Sequence, residues 1–154
     1  KTDAMSLEKI LAEENATEAV LKLYEILPDT PDEGNEFEKN VLLVLGLDGQ
    51  VSNGGFSQFF FNSTGKFAHE TVDALQAIGA TESYQLLKEA IPFFPKSFIP
   101  KDTGERRDLM DEFPEKIYEA WDQLDSRFYK KNENLDALVI SYVRKNKNKF
   151  GKKN

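Results

Sequence analysis

The only histidine, His69, is followed by Glu70 and Asp73, so His69 and Asp73 stand one helical turn apart, as two metal ligands on one helix face would. The pair lacks the second histidine of the zinc-protease pattern and a recognisable third ligand, so neither a metal site nor a cofactor is expected. Nucleophilic catalysis needs a hydroxyl or thiol beside a base. The chain has no Cys and no Gly-x-Ser-x-Gly elbow, and His69 is its one residue of the usual base type. Phosphate cradling needs a glycine-rich turn feeding a helix. Asn53-Gly54-Gly55 before Phe56 has that outline, but no Lys or Arg occurs between Lys39 and Lys66. No catalytic residue is assigned, and a protein that is not an enzyme is expected.

Gln58 and Asn62 lie four apart, so a helix puts both amides on one face, beside an apolar face of Phe56, Phe59 and Phe60. The favoured reading pairs these amides with buried backbone groups of a turn at 48–55. The alternative is a small-molecule or enzymatic site around Asn53, Gln58, Asn62 and His69. A third arrangement is the set Asp108, Asp111, Glu112, Glu115, Glu119 and Asp122, which recurs largely at spacings of three and four. Successive helical turns are about 5.4 Å apart, of the same order as the phosphates along one DNA strand, so such a ridge can imitate a nucleic-acid backbone. Pro114 interrupts the ridge, and Arg106, Arg107 and Lys116 dilute it. Asp32, Glu33 and Glu36 add a second acidic patch.

The charge balance suits that third arrangement. The formal net charge is -7, and the last eleven residues hold Arg144, Lys145, Lys147, Lys149, Lys152 and Lys153 with no acid. Taking these six from the 20 basic residues leaves 14 against 27 acidic ones, so residues 1–143 carry a formal charge of -13. Such a body repels nucleic acid and attracts basic protein surfaces, so a basic protein partner is expected and direct nucleic-acid binding is not. The longest apolar run, Val41 to Leu47, is far short of the roughly 20 residues of a membrane helix, and a cytoplasmic protein without membrane contact is expected. With 40% hydrophobic residues and 12 Phe, residues 1–154 read as one domain with one core, frayed at 1–5 and 147–154.

The elements that would position these residues are all helical. Ser6 precedes a segment with Leu7, Ile10 and Leu11 on one face, and Asn15 starts a stretch in which Ala16, Val20, Leu23, Tyr24 and Leu27 recur at helical spacing. Glu36 to about Leu47 reads as a helix, 48–55 as a tight turn, and 56–62 as a short aromatic helix. A helix from about Phe67 to Ile78 ends at Gly79, and Thr81 caps the next, to about Ile91. Residues 92–104 read as a proline-rich packed loop held down by Phe93, Phe94, Phe98 and Ile99. Pro114 opens a helix to about Asp125, and the last helix runs from about Asn134 to Asn146.

The run Asn53-Gly54-Gly55-Phe56-Ser57-Gln58-Phe59-Phe60-Phe61-Asn62, followed by Ala74-Leu75-Gln76-Ala77-Ile78-Gly79-Ala80, resembles the signature of the bacterial DNA-mimic protein family. The resemblance covers nearly the whole chain. It implies an all-α fold, often dimeric, with no catalytic activity. It also implies carboxylates presented as a false DNA surface to a DNA-binding regulator, for which Asp108 to Asp122 and the acids of the 29–38 loop are the candidates. An immunity-type protein that neutralises a toxin would use the same acidic-surface physics.

Overall fold

Ser6 and Asn15 do what short polar side chains do at a helix start. The Ser6 hydroxyl accepts the Lys9 N–H and the Asn15 side-chain oxygen accepts the Glu18 N–H, so the first segment is two helices, α1 (Leu7–Leu11) and α2 (Ala16–Leu23). The computed structural model describes residues 6–151 and is all-α, without a strand among them. The remaining helices are α3 (Glu36–Phe61), α4 (Ala68–Ile78), α5 (Thr81–Ala90), α6 (Thr103–Asp111), α7 (Glu115–Lys130) and α8 (Leu135–Lys145). No helix of the described residues is long and apolar enough to cross a membrane.

The expected turn at 48–55 is the main correction. Residues 48–53 continue the helix that begins at Glu36, and only Gly54 (φ -153°, ψ 19°) and Gly55 (φ 78°, ψ -179°) leave helical geometry. The residues that suggested a turn tolerate a helix as well, and packing decides between the two. Leu47 and Val51, one turn apart, are fully buried, and the Ser52 hydroxyl donates to Asp48. After the two glycines the chain runs back along the first arm. Gln58 and Asn62 bond to Gln50, and Thr64 lies against Gly46.

The second arm, 56–61, carries the centre of the core. Phe60 stacks on Trp121 with ring centroids 4.9 Å apart, and Phe94 meets Phe60 edge-on at 5.1 Å. Of the apolar loop residues expected to pin 92–104, Phe94 and Ile99 are buried, whereas Phe93 and Phe98 are exposed. The loop holds two 3-10 turns, Ile91–Phe93 and Pro95–Ser97, and its last two residues already belong to α6. The C-terminal segment also departs from expectation. Phe150 is buried and the Lys149 carbonyl accepts Asn35 Nδ2, so 147–150 is packed; residues 1–5 and 152–154 lie outside the described residues.

Two helix starts differ from the sequence reading for a long-range reason. Thr81 is the first residue of α5, not its cap. The Glu133 carboxylate takes the Glu82 and Ser83 N–H groups, and Glu82 in return takes the Asn132 and Glu133 N–H groups. Pro114 stands one residue before α7, which runs to Lys130 because Phe128 is buried edge-on against Phe56.

Candidate partner-binding face

The Asn-Gly-Gly motif is the joint that holds α6 and α7 against α3. Gly55 occupies a backbone region open in practice only to glycine, and a Cβ there would strike the Asp125 carboxylate. That carboxylate accepts the Phe56 N–H at 2.7 Å, placing a negative charge at the start of the second arm. Gly54 leaves room for the Gln58 side-chain oxygen, and Tyr129 donates its hydroxyl to the Val51 carbonyl at 3.0 Å.

The far end of the arm is closed by α6. The Thr64 hydroxyl takes the Phe59 carbonyl, Arg106 Nε takes Phe60, Arg107 Nε takes Phe61, and Arg106 Nη2 takes Asn62. Every carbonyl that the last turn leaves open thus has a donor, and two of the three donor side chains are cations at the negative end of the helix dipole. Arg106 is fully buried and also donates to the carbonyls of Pro100 and Lys101. Burial, then the neighbouring Arg107, holds its pKa below the usual guanidinium range. Gly65 is the matching gap, since a Cβ there would collide with Phe60 O and press on Arg106 Nε.

This arrangement sets the charge of the surface outside it. Asp108, Asp111, Glu112, Glu115, Glu119 and Asp122 are all exposed, and among the described residues none of them forms an ion pair. Arg106, which in the sequence dilutes the ridge with Arg107, is buried on carbonyl oxygens, and Arg107 is half-buried against Phe61 and Asn62, which leaves Lys116 as the fully exposed cation among these acids. The second patch has local work instead. Asp32 pairs with Lys39 and Lys66 at 3.6 and 3.9 Å, Glu33 closes a capping box with Thr30, and Glu36 lies in the first turn of α3.

Gln58 and Asn62 do not pair with turn backbone as expected. Their NH2 groups both donate to Gln50 Oε1 at 2.9 Å, because the reversal at 54–55 brings the two arms side by side. They line a hollow of about 400 Å³ with Phe61, Met110 and Tyr118, while Asn53 reaches it through Gln58 at 3.3 Å. His69 is not part of it. Its Nε2–H donates to the Ser97 carbonyl at 3.0 Å, beside Lys96 and Phe98.

A family model described as DMP19-like protein matches residues 32–146, well over half of the chain. The chain belongs to the DMP19-like protein family. No curated protein and no solved structure matches it. In this DMP19-like chain the matched span takes in the joint and all nine candidate acids and leaves out α1 and α2.

Four residues of the DMP19-like joint escaped sequence reasoning: Gln50, Arg106, Arg107 and Asp125. Gln50 becomes visible once 48–53 is read as helix, since a reversal at two glycines sets it opposite Gln58. The others reach α3 and its C-cap across 44 to 69 positions and leave no local pattern.

Burial, and secondarily Asp122, raise the Asp125 pKa above the ordinary Asp value of about 3.9, although the Phe56 N–H opposes them. The folded state therefore binds this proton more tightly than the unfolded state. The stability so gained is fully present below the unfolded value and is lost as pH rises through the raised folded value. Asp125→Asn keeps an acceptor for Phe56 and removes the titration. In urea unfolding across a pH series, the stability of the variant relative to wild type should rise with pH through that window; parallel curves would show that Asp125 does not carry the effect.

Proposed function

We propose that this DMP19-like chain is a non-enzymatic acidic binding protein that presents the α6–α7 carboxylates in place of a DNA backbone and so occupies the DNA-binding surface of a basic regulator. The observation that carries this reading is the engagement of Arg106 and Arg107 on the carbonyls of the second arm, which leaves six exposed acids without an ion pair among the described residues. Holding that many like charges unpaired adds self-repulsion and gives the fold no contact in return, so their use is external. The face is held in place because α7 is tied to the second arm at Asp125 and to the first at Tyr129, and α6 is tied to the second arm at Arg106 and Arg107.

The test is capture of partners from the source lysate on immobilised protein, in parallel with the Glu115→Gln, Glu119→Gln, Asp122→Asn triple variant. The three sites are exposed and free of ion pairs, so the variant should unfold within about 0.5 kcal/mol of wild type. A DNA-binding protein should be retained at low salt, lose at least roughly tenfold in affinity at high salt, and be displaced by duplex DNA. Equal recovery at high salt, or equal recovery by the triple variant, would sink the electrostatic reading.

A further inference from the structure

The hollow beside the ridge has a chemistry of its own. Gln50 Oε1 takes the NH2 groups of both Gln58 and Asn62, which turns both carbonyl oxygens away from Gln50. Among the described residues Gln58 Oε1, which lies against Gly54 in the hollow's wall, receives only Asn53 Nδ2 at 3.3 Å, and Asn62 Oδ1 only Arg107 Nη2 at 3.5 Å. Both bonds are long, and each oxygen keeps a second lone pair, so the polar groups offered are acceptors.

The rest of the wall is aromatic and soft. Phe61 is 38% exposed, and Tyr118 spends its hydroxyl on the Met110 carbonyl at 2.7 Å, so what it offers a ligand is its ring. Asp111 follows Met110, part of the hollow's wall, at the end of α6, and its charge, after burial, raises the Tyr118 pKa. Glu115 and Asp122 stand one helical turn to either side of Tyr118 on α7. Acceptor oxygens, ring surfaces and flanking carboxylates together suit a flat cation rich in donors. A guanidinium has five N–H donors and stacks on rings, whereas an ammonium is a compact, strongly hydrated charge. Arg107 already displays this chemistry from within the chain. Its guanidinium lies 4.3 Å from the Phe61 ring centroid, donates to the Phe61 carbonyl at 2.9 Å and points Nη2 at Asn62.

We propose that the hollow is a socket for an arginine side chain of the basic partner, an inference that rests on the ridge being the partner-binding face. Regulators that read DNA in the major groove set Arg against paired base-edge acceptors flanked by phosphates. Here Gln58 Oε1 and Asn62 Oδ1 stand for the base edge and Asp111, Glu115 and Asp122 for the phosphates. The ridge attracts any basic surface; the socket selects arginine over lysine.

The experiment uses the whole protein, a fluorescent arginine-rich peptide and the same peptide with every Arg replaced by Lys, compared by anisotropy at low salt. The arginine peptide should bind about tenfold more tightly. Ser57→Trp, which fills the hollow that Ser57 lines, and Phe61→Leu, which removes its ring, should bring the two peptides to parity. Equal affinity for both peptides in wild type, with both weakened by the Glu115, Glu119, Asp122 triple variant, would overturn the socket and leave the ridge standing. Binding of neither peptide would overturn ridge and socket together. A preference that survives both hollow variants would also overturn the socket. A readout free of mutation is the NMR signal of the Gln58 and Asn62 side-chain NH2 groups. These should move on titration with N-acetyl-arginine amide and stay still with the lysine analogue; no movement with either overturns the proposal.

Discussion

Gly55→Ala should lower the unfolding free energy by about 3–5 kcal/mol. Two contributions make up that figure. The backbone at φ 78°, ψ -179° lies in the region that is essentially glycine-only, where a side chain costs of order 1–3 kcal/mol. The new Cβ would also collide with the Asp125 carboxylate and break its 2.7 Å bond from the Phe56 N–H, a charge-assisted bond worth about 1.5–3 kcal/mol. Asp125→Ala alone should cost less, because it removes the bond and leaves the backbone unstrained. Since both changes strike one contact, the double variant should be no worse than Gly55→Ala by more than a few tenths of a kcal/mol. Urea unfolding of the three variants measures all of this. A Gly55→Ala protein within about 1 kcal/mol of wild type would mean that the reversal can be made another way. Gly79, also at positive φ but with nothing within 4 Å of a built Cβ, is the control, and Gly79→Ala should show only the cost of its left-handed backbone.

The same contrast explains which parts of the fold were legible. Helix ends closed by their own neighbours can be read locally: Ser6, Asn15 and Asn134 each accept an N–H three residues on, and Gly79 takes the left-handed end of α4. Ends closed from elsewhere in the chain cannot. The starts of α5 and of the second arm of α3 are met by Glu133 and Asp125, 51 and 69 positions away. Helix α6 left no amphipathic trace, because its buried residues are Arg106 and Met110, and one of these looks like surface in a hydropathy pattern. The acids of the face were legible as a spacing, but which of them are free was not. Asp32 reads like Asp111 until Lys39 and Lys66 are found beside it.

Arg106 is where that illegibility matters most, and replacing it is the second large prediction. Arg106→Met should cost about 3–5 kcal/mol, because the carbonyls of Phe60, Asn62, Pro100 and Lys101 lose the donors of one buried guanidinium, and an orphaned buried acceptor costs about 1–3 kcal/mol before relaxation. Among the described residues the guanidinium has no carboxylate partner in an ion pair, so its worth lies in those bonds and in its charge at the end of the second arm. Arg106→Lys separates the two. It restores the charge but not the planar fork, so it should recover well under half of the loss if the carbonyls dominate and most of it if the dipole does. Gly65→Ala, which presses on the same Nε, should be clearly sub-additive with Arg106→Met in a double-variant cycle. If Arg106→Met unfolds within about 1 kcal/mol of wild type, water must reach these carbonyls, and the joint is looser than its geometry implies. Partner binding by Arg106→Lys then ties the joint to the face. Every ridge acid is unchanged in that variant, so weaker binding at a temperature where it is still folded would show that the carboxylates act through the position that α6 gives them.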